Sequence, residues 1–294
     1  MTSLWRLHIR PGGGNGNVAA SVALCLDRSI IGMGWPVPDE TVTQSDDLEW
    51  YKEAASRQYG SDMSWHSVWT FAERPEIGDL VWFRDTEGRF FLAEILEPWR
   101  YAYEDKAAIG ADIVNFRKVR IIEVGVADAV PGKVIACFRP SKTFQPIRSP
   151  GMLAFSSKLA GLPSADTVFD VYEFMSDADL ENVVFVYLQV IGWYVLPGTR
   201  TVTTAHYEFV LVHREKGERA IVQVKSGGTW IDASSYAGQE TAFLFAASGN
   251  YGHVIPSNVV LITRKQLSDF MRGMPHLLPR AVLTWISVAG QPVD

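Results

Sequence analysis

Two short apolar runs carry polar residues where strands seldom hold them. Tyr207-Glu208-Phe209-Val210-Leu211-Val212 is followed, across the polar turn Glu215-Lys216-Gly217-Glu218, by Ala220-Ile221-Val222-Gln223-Val224-Lys225-Ser226-Gly227. Both runs read as β-strands. Side chains alternate along a strand, so Gln223 and Lys225 project to one face. A carboxylate on the neighbouring strand, Glu208, can join them around one point. An ammonium group at the end of an apolar strand is costly to bury unpaired, and Glu208 resolves that cost. Two outcomes fit these residues: a reactive centre of carboxylate, amide and ammonium, or a structural hairpin in which Lys225 pairs with Glu208 or a surface acid.

The elements around the pair narrow the choice. Asp177 to Ile191 has helical spacing, with Leu180, Val183, Val184, Tyr187, Leu188 and Ile191 at core positions. Asp177 or Asp179 is expected to cap it. Val259 to Thr263 reads as a further strand and Lys265 to Met271 as a closing helix. In order and spacing, residues 175–285 resemble the PD-(D/E)XK nucleases, in particular the Mrr-like, restriction-endonuclease-like branch that accepts Gln in the triplet. The resemblance implies that Glu208 and the Val224 carbonyl ligate Mg²⁺ (or Mn²⁺) while Gln223 adds a neutral oxygen. It implies that Lys225 orients the attacking water and stabilises charge developing on the phosphate. Glu181, on the preceding helix, would support the metal or its waters. Two departures stand out: Asp is commoner than Glu at position 208, and Gln223 removes a negative charge from the site.

The first ~145 residues are rich in tryptophan and read as short strands with one helix, near Asp46 to Tyr59. Leu80 to Asp85 and Phe90 to Leu96 flank Thr86-Glu87-Gly88 as a hairpin. Val114 to Val124 and Lys133 to Phe138 are expected as strands. Pro11 to Asn17 reads as a loop that leads into no clear helix, and it lacks the Lys-Ser/Thr ending of a phosphate loop. A small, partly closed barrel follows from this pattern. Gly32-Met33-Gly34-Trp35, Trp69-Thr70-Phe71, Gly78-Asp79-Leu80-Val81-Trp82, Trp99-Arg100-Tyr101, Arg117-Lys118-Val119 and Val130-Pro131-Gly132 occur in an order similar to PUA-like, EVE-related sensor modules. That resemblance implies an aromatic pocket for a flipped, modified base, with stacking worth roughly 1–3 kcal/mol per base. Trp35, Trp69, Trp82, Trp99 and Tyr101 are the candidate walls, and Asp85 or Asn115 would read the base edge. For each aromatic taken singly, a place in the core fits equally well.

Bulk properties bound these expectations. The 294 residues suggest two domains, and 47% hydrophobic with 20% charged residues is an ordinary globular composition. Expected are a sensor domain over 1–148, a linker over 149–170, and a nuclease-like α/β/α domain over 171–294. The net charge of −6 weakens long-range attraction to nucleic acid. Yet Lys133, Arg139, Lys142 and Arg148 lie in a stretch without acids, which fits either a solvated loop or a phosphate-contacting surface. Cys25 and Cys137 are too few for a disulfide framework, and no apolar run reaches the ~18–20 residues of a membrane helix. A cytoplasmic protein is expected. His206 and His213 flank the first strand of the pair on opposite faces, without metal-ligand spacing. The two resemblances together imply a Mg²⁺-dependent endonuclease acting as a homodimer on DNA that carries a modified base. The competing expectations are a non-catalytic reader of modified DNA or RNA, and a nucleotide-sensing defence protein.

Overall fold

Strand alternation organises both halves of the chain. A computed structural model describes residues 2–38, 42, 44–60, 65–149, 151–163, 170–199, 206–238 and 240–289, without the side chains of 173 and 174. Contacts divide the chain into Met1–Val130 with Val134–Ser164, and Pro131–Lys133 with Ala165–Asp294. No described helix is long and apolar enough to cross a membrane.

The first unit begins β1 (Leu4–Leu7), α1 (Val18–Arg28), β2 (Ile30–Met33), β3 (Gln44–Ser45), α2 (Leu48–Tyr59) and α3 (His66–Glu73). It continues β4 (Leu80–Arg84), β5 (Phe90–Ile95), β6 (Arg100–Ala102), α4 (Lys106–Gly110) and β7 (Asn115–Gly125). It ends with α5 (Gly132–Cys137), β8 (Phe144–Pro146) and α6 (Met152–Leu159). The sheet order is β3-β6-β7-β5-β4-β1-β8, with β2 also on β7. The long β7 serves two partners in turn, β2 and β6 at its start and β5 beyond. Asp79 ties β1 to the turn before β4, accepting from Ser3 N–H (2.7 Å), Trp5 Nε1–H (2.8 Å) and Glu76 N–H (3.1 Å). The core of Trp5, Tyr51, Phe71, Phe83 and Phe91 lies against this sheet.

Several expectations change here. Among the described residues no pairing joins β3 to β8, so the sheet does not close into a barrel. Four further helices before residue 140 join the single one foreseen. The glycine run does lead from buried β1 into a helix, because Asn17 accepts from Ala20 N–H at 3.0 Å and caps α1. Residues 133–137, foreseen as strand, are helical in α5 despite the β-branched Val134 and Ile135. The foreseen linker contains α6, whose Met152, Phe155 and Ser156 are buried. Ser156 Oγ accepts from Trp82 Nε1–H at 3.0 Å, so this segment packs onto the first unit's sheet. Residues 164–169 of that linker lie outside the described residues.

The second unit runs α7 (Val171–Phe174), α8 (Asp177–Val190), β9 (Trp193–Val195), β10 (Phe209–His213) and β11 (Arg219–Lys225). It ends β12 (Thr241–Ala246), β13 (Val259–Leu261), α9 (Arg264–Gly273) and α10 (Arg280–Ala289). Its sheet, β13-β12-β11-β10-β9, is an antiparallel meander from β9 to β11 extended by parallel β12 and β13. Ser176, not Asp177 or Asp179, caps α8; Asp179 completes the capping box from the third position and also accepts from Gly132 N–H at 2.9 Å. One sheet face carries Phe209, Val222, Val224, Phe243 and Phe245, by the register of β10, β11 and β12. Helices cover it: Phe185 of α8 stacks on Phe209 at 3.7 Å and Tyr172 of α7 meets Phe245 at 5.8 Å. The opposite face is covered by the 3-10 turn Ala233–Tyr236 and its flanking loops. The expected helix on that side is missing from the described residues. Gly227 and Gly238, both at positive φ, interrupt the connection where it would have formed.

The first unit also buries a cationic cluster. Arg6 is fully buried on β1, and Arg6 and Arg84 both sit over the Phe138 ring, at 5.6 and 5.1 Å. Beside them, burial pushes His8 down to about 4, helped by the charges of Arg6, Arg84 and Arg10. His8 therefore stays neutral when folded, while an unfolded chain takes up a proton near the ordinary histidine value of about 6.5. The contribution to stability is intact above about pH 6.5 and falls as pH drops toward 4. We expect urea midpoints to decline over that window and His8→Gln to flatten the decline; an unchanged slope in the variant would refute the assignment.

Candidate functional site

The β10–β11 register brings the sequence-singled triplet together. Phe209 pairs with Val222, which sets Glu208 opposite Gln223, and Glu208 N–H bonds the Val222 carbonyl at 2.7 Å. Gln223 Nε2–H donates to Glu208 Oε1 at 3.1 Å, and Lys225 Nζ lies 3.6 Å from the same oxygen. Glu208 and Lys225 are partly exposed, whereas Gln223 is only 1% exposed. The carboxylate has no proton to give, so the Gln223 amide must turn its NH₂ toward it. Gln223 Oε1 is left buried without a hydrogen-bond partner. Such an orphan costs about 1–3 kcal/mol, and a hard cation or an ordered water satisfies it.

A divalent ion preferring oxygen ligands fits this donor set. Glu208 supplies the charge and Gln223 Oε1 a neutral oxygen. Strand alternation turns the Val224 carbonyl to the same side as that of Val222. Three groups of His, Cys, Asp or Glu do not converge anywhere among the described residues, so the set is poor in charge.

Glu181 lies on α8 one turn before Phe185, which packs on Phe209. Asp177 of α8 reaches the end of β11, where it accepts from Ser226 Oγ. Tyr236, absent from the sequence reading, stands beside the triplet. Its hydroxyl is pushed up to about 12 by burial and by the Glu208 charge, and it donates to the His206 carbonyl at 2.6 Å. The His206 ring stacks on Tyr236 at 4.4 Å, two residues before Glu208.

In the first unit the candidate base pocket divides. Asn115 is a buried hub: its Oδ1 accepts from Trp99 Nε1–H (3.1 Å), and its Nδ2 donates to the Gly34 carbonyl (2.6 Å) and Tyr51 Oη (2.7 Å). Tyr101 Oη donates to the Val37 carbonyl and accepts from Val37 N–H. Trp82 is fully buried on Ser156. Asp85 shapes the β4–β5 turn, accepting from Glu87 N–H (2.9 Å), Arg89 N–H (2.8 Å) and Arg89 Nε (2.7 Å). Trp82, Trp99, Asn115 and Asp85 therefore serve the fold, because their polar atoms are spent internally. Tyr101 is 1% exposed and borders a shallow charged cleft.

Trp35 borders a pocket of the first unit, of about 320 Å³, lined also by Tyr59, Asp112, Arg10, Gly12 and Pro36. Trp35 meets Tyr59 edge to face at 5.2 Å and tilts on Trp65 at 5.2 Å, which stacks in turn on Trp69 at 5.0 Å. Trp35 and Asp112 both hold positive φ, +72° and +53°. Gly12 N–H donates to Asp112 Oδ2 at 2.7 Å. A Cβ on Gly34 would stand 2.1–2.2 Å from the Asp112 carboxylate, so only glycine fits there. Glycine-rich spacing around Trp35 was the signal in the sequence; Asp112 gave none.

Lys133, Arg139, Lys142 and Arg148 are all exposed, and none forms an ion pair among the described residues. Lys133 belongs to the second unit and the other three to the first. No known family matches this chain, and no curated protein or solved structure matches it. We expect Asn115→Leu to lower stability by about 2–3 kcal/mol, since it strands buried groups of Trp99, Tyr51 and Gly34. Denaturant unfolding checks this, and a change below ~0.5 kcal/mol would return Asn115 to the list of ligand-reading residues.

Proposed function

We propose that the chain is a Mg²⁺-dependent endonuclease for DNA carrying a modified base, with cleavage in the second unit and base reading in the first. The observation that carries this reading is the buried, unpartnered Gln223 oxygen beside Glu208 and Lys225. The helix, meander and parallel strands around it agree with the order of elements expected of the PD-(D/E)XK resemblance. Glu208, Gln223 Oε1 and the Val224 carbonyl would hold Mg²⁺. Bound there, the ion would polarise a phosphate oxygen and lower the pKa of a water.

The chain's own groups do the rest. Lys225, freed from Glu208 when a phosphate arrives, neutralises charge developing on the phosphate and orients the attacking water. Glu208 holds the Gln223 amide by its NH₂ and leaves its oxygen free for a ligand. Tyr236 stays protonated through the working pH range and holds the backbone at His206. Cleaving both strands at one site needs two such centres, so the working form is a homodimer or a transient pair.

In the first unit, Trp35 and Tyr59 offer faces to a flipped base, and Trp69 braces them through Trp65. Asp112 accepts hydrogen bonds but donates none when ionised. It suits a base edge bearing an amino group, such as that of cytosine. Arg139, Lys142 and Arg148 would take flanking phosphates.

The experiment is incubation with Mg²⁺ or Mn²⁺ and DNA carrying methyl-, hydroxymethyl- or glucosylated cytosine, beside unmodified DNA. Cleavage of a modified substrate should fall at least ~100-fold in Lys225→Ala and in Glu208→Gln. Trp35→Ala should lose the preference for modified DNA while keeping the metal-dependent chemistry. Binding to modified DNA without cutting would sink the enzyme and leave a reader.

A further inference from the structure

The loop that leaves β11 carries an indole that the folded core does not use. Trp230 comes five residues after Lys225 and is 55% exposed. Its backbone is nevertheless held on all sides. Thr229 N–H bonds the Ser226 carbonyl at 3.4 Å, closing a turn directly after Lys225. The Thr229 carbonyl accepts from Ser248 Oγ at 2.8 Å, and Ile231 N–H bonds the Asn250 carbonyl at 3.1 Å. Ala247 N–H reaches the Lys225 carbonyl at 2.8 Å, so the second loop is pinned to the triplet strand itself. Asp232 then caps the 3-10 turn that carries Tyr236.

The indole lies beside Gly252, where a Cβ would come within 3.7 Å of its ring. Val254 and Ile255 follow on the same loop, 63% and 43% exposed. Residues 226–231 and 247–256 contain no Asp, Glu, Lys or Arg. Asp232, the acid beside Gly252, is engaged by Ser234 N–H and Oγ, and Trp230, Val254 and Ile255 together present apolar surface to water. A turn keeps its end Cα atoms within about 7 Å, so Trp230 starts only a few nucleotides from a phosphate at Lys225, at about 3.4 Å per nucleotide.

We propose that Trp230 stacks on a nucleobase next to the phosphate held at Lys225, so that the site takes a strand locally opened or unstacked at the cut. This rests on the phosphodiester-cleaving reading of Glu208, Gln223 and Lys225. A nucleobase suits the position because every base offers a π face, and Lys225, five residues before the indole, supplies the positive charge for the neighbouring phosphate. The Gly227-Gly228 backbone beside it lets a strand approach closely.

The test uses the full chain and labelled single-stranded and nicked duplex DNA, with binding followed by anisotropy in the absence of divalent ions. Trp230→Ala should weaken binding about 10-fold, equivalent to ~1.4 kcal/mol, whereas Trp230→Phe should stay within about 3-fold. Moving an abasic site along the strand should reveal one position that weakens the wild-type protein but leaves Trp230→Ala unaffected. Equal losses for both proteins at every position, or wild-type binding by Trp230→Ala, would overturn the proposal. So would a loss of binding that accompanies a dimer-to-monomer change in sedimentation, which would assign Trp230 to a second copy of this chain. DNA that is bound with the abasic signature yet never cut would instead overturn the cleavage reading and leave stacking in place. Cutting that depends on Lys225 but ignores Trp230 would do the reverse.

Discussion

A buried amide has to place both of its ends, and in the second unit that demand falls on Gln223. Its NH₂ donates to Glu208 across the strand pair, and its oxygen is left buried without a hydrogen-bond partner. This arrangement depends on register. Phe209, Val222 and Val224 form the opposite, apolar face, and α8 clamps that face through Phe185. Slipping either strand by one residue would turn Phe209 or Val222 into the loop layer and bury Glu208 under α8. Apolar packing on one side of the sheet therefore fixes polar geometry on the other. The cap of α8 by Ser176 and Asp179 contributes to the same end, since it sets where that helix begins along the strands.

The first unit solves a related problem with opposite economy. Asn115 gathers Trp99, Tyr51 and the Gly34 carbonyl into a satisfied network, which removes those groups from any role with a ligand. By holding the Gly34 carbonyl, the same network fixes the backbone just before Trp35. Trp35 can then persist at φ +72°, and Asp112 at +53° closes over Gly34. Strained backbone of this kind survives where its surroundings over-determine it, and it gathers at sites of function. The core aromatics and the pocket aromatics are thus one construction, in which the buried set positions the partly exposed set.

What could be read from the sequence follows the same division. The β10–β11 pair was legible because alternation encodes both the strand and the shared face of Gln223 and Lys225. The helix of α8 was legible from its core spacing. Glu181 shares a helical stripe with Phe185, but periodicity shows which residues share a stripe, not which sheet face that stripe meets. Lys133 to Phe138 misled because Val134 and Ile135 favour a strand, while the helix they enter is fixed by neighbours far along the chain. Asp85 and Asn115 looked like base-reading groups since a polar side chain among aromatics has the same appearance whether its partners are internal or not. Tyr236 and Asp112 left no mark, because each gains its setting from contacts with residues distant in sequence.

The charge-poor character of the triplet has a consequence for how such a site would work on the proposed reading. A single carboxylate with two neutral oxygens binds Mg²⁺ weakly, since the ion gives up water reluctantly and needs compensating charge. Phosphate oxygens supply that charge. In the unliganded fold the Glu208 carboxylate is instead shared between Lys225 and the Gln223 amide. An incoming phosphate would compete for Lys225 and leave Glu208 available to an ion. Metal and nucleic acid would then bind cooperatively, each removing a cost that opposes the other. On that reading, Gln223 in place of a second acid would make the centre dependent on a bound phosphate for its metal.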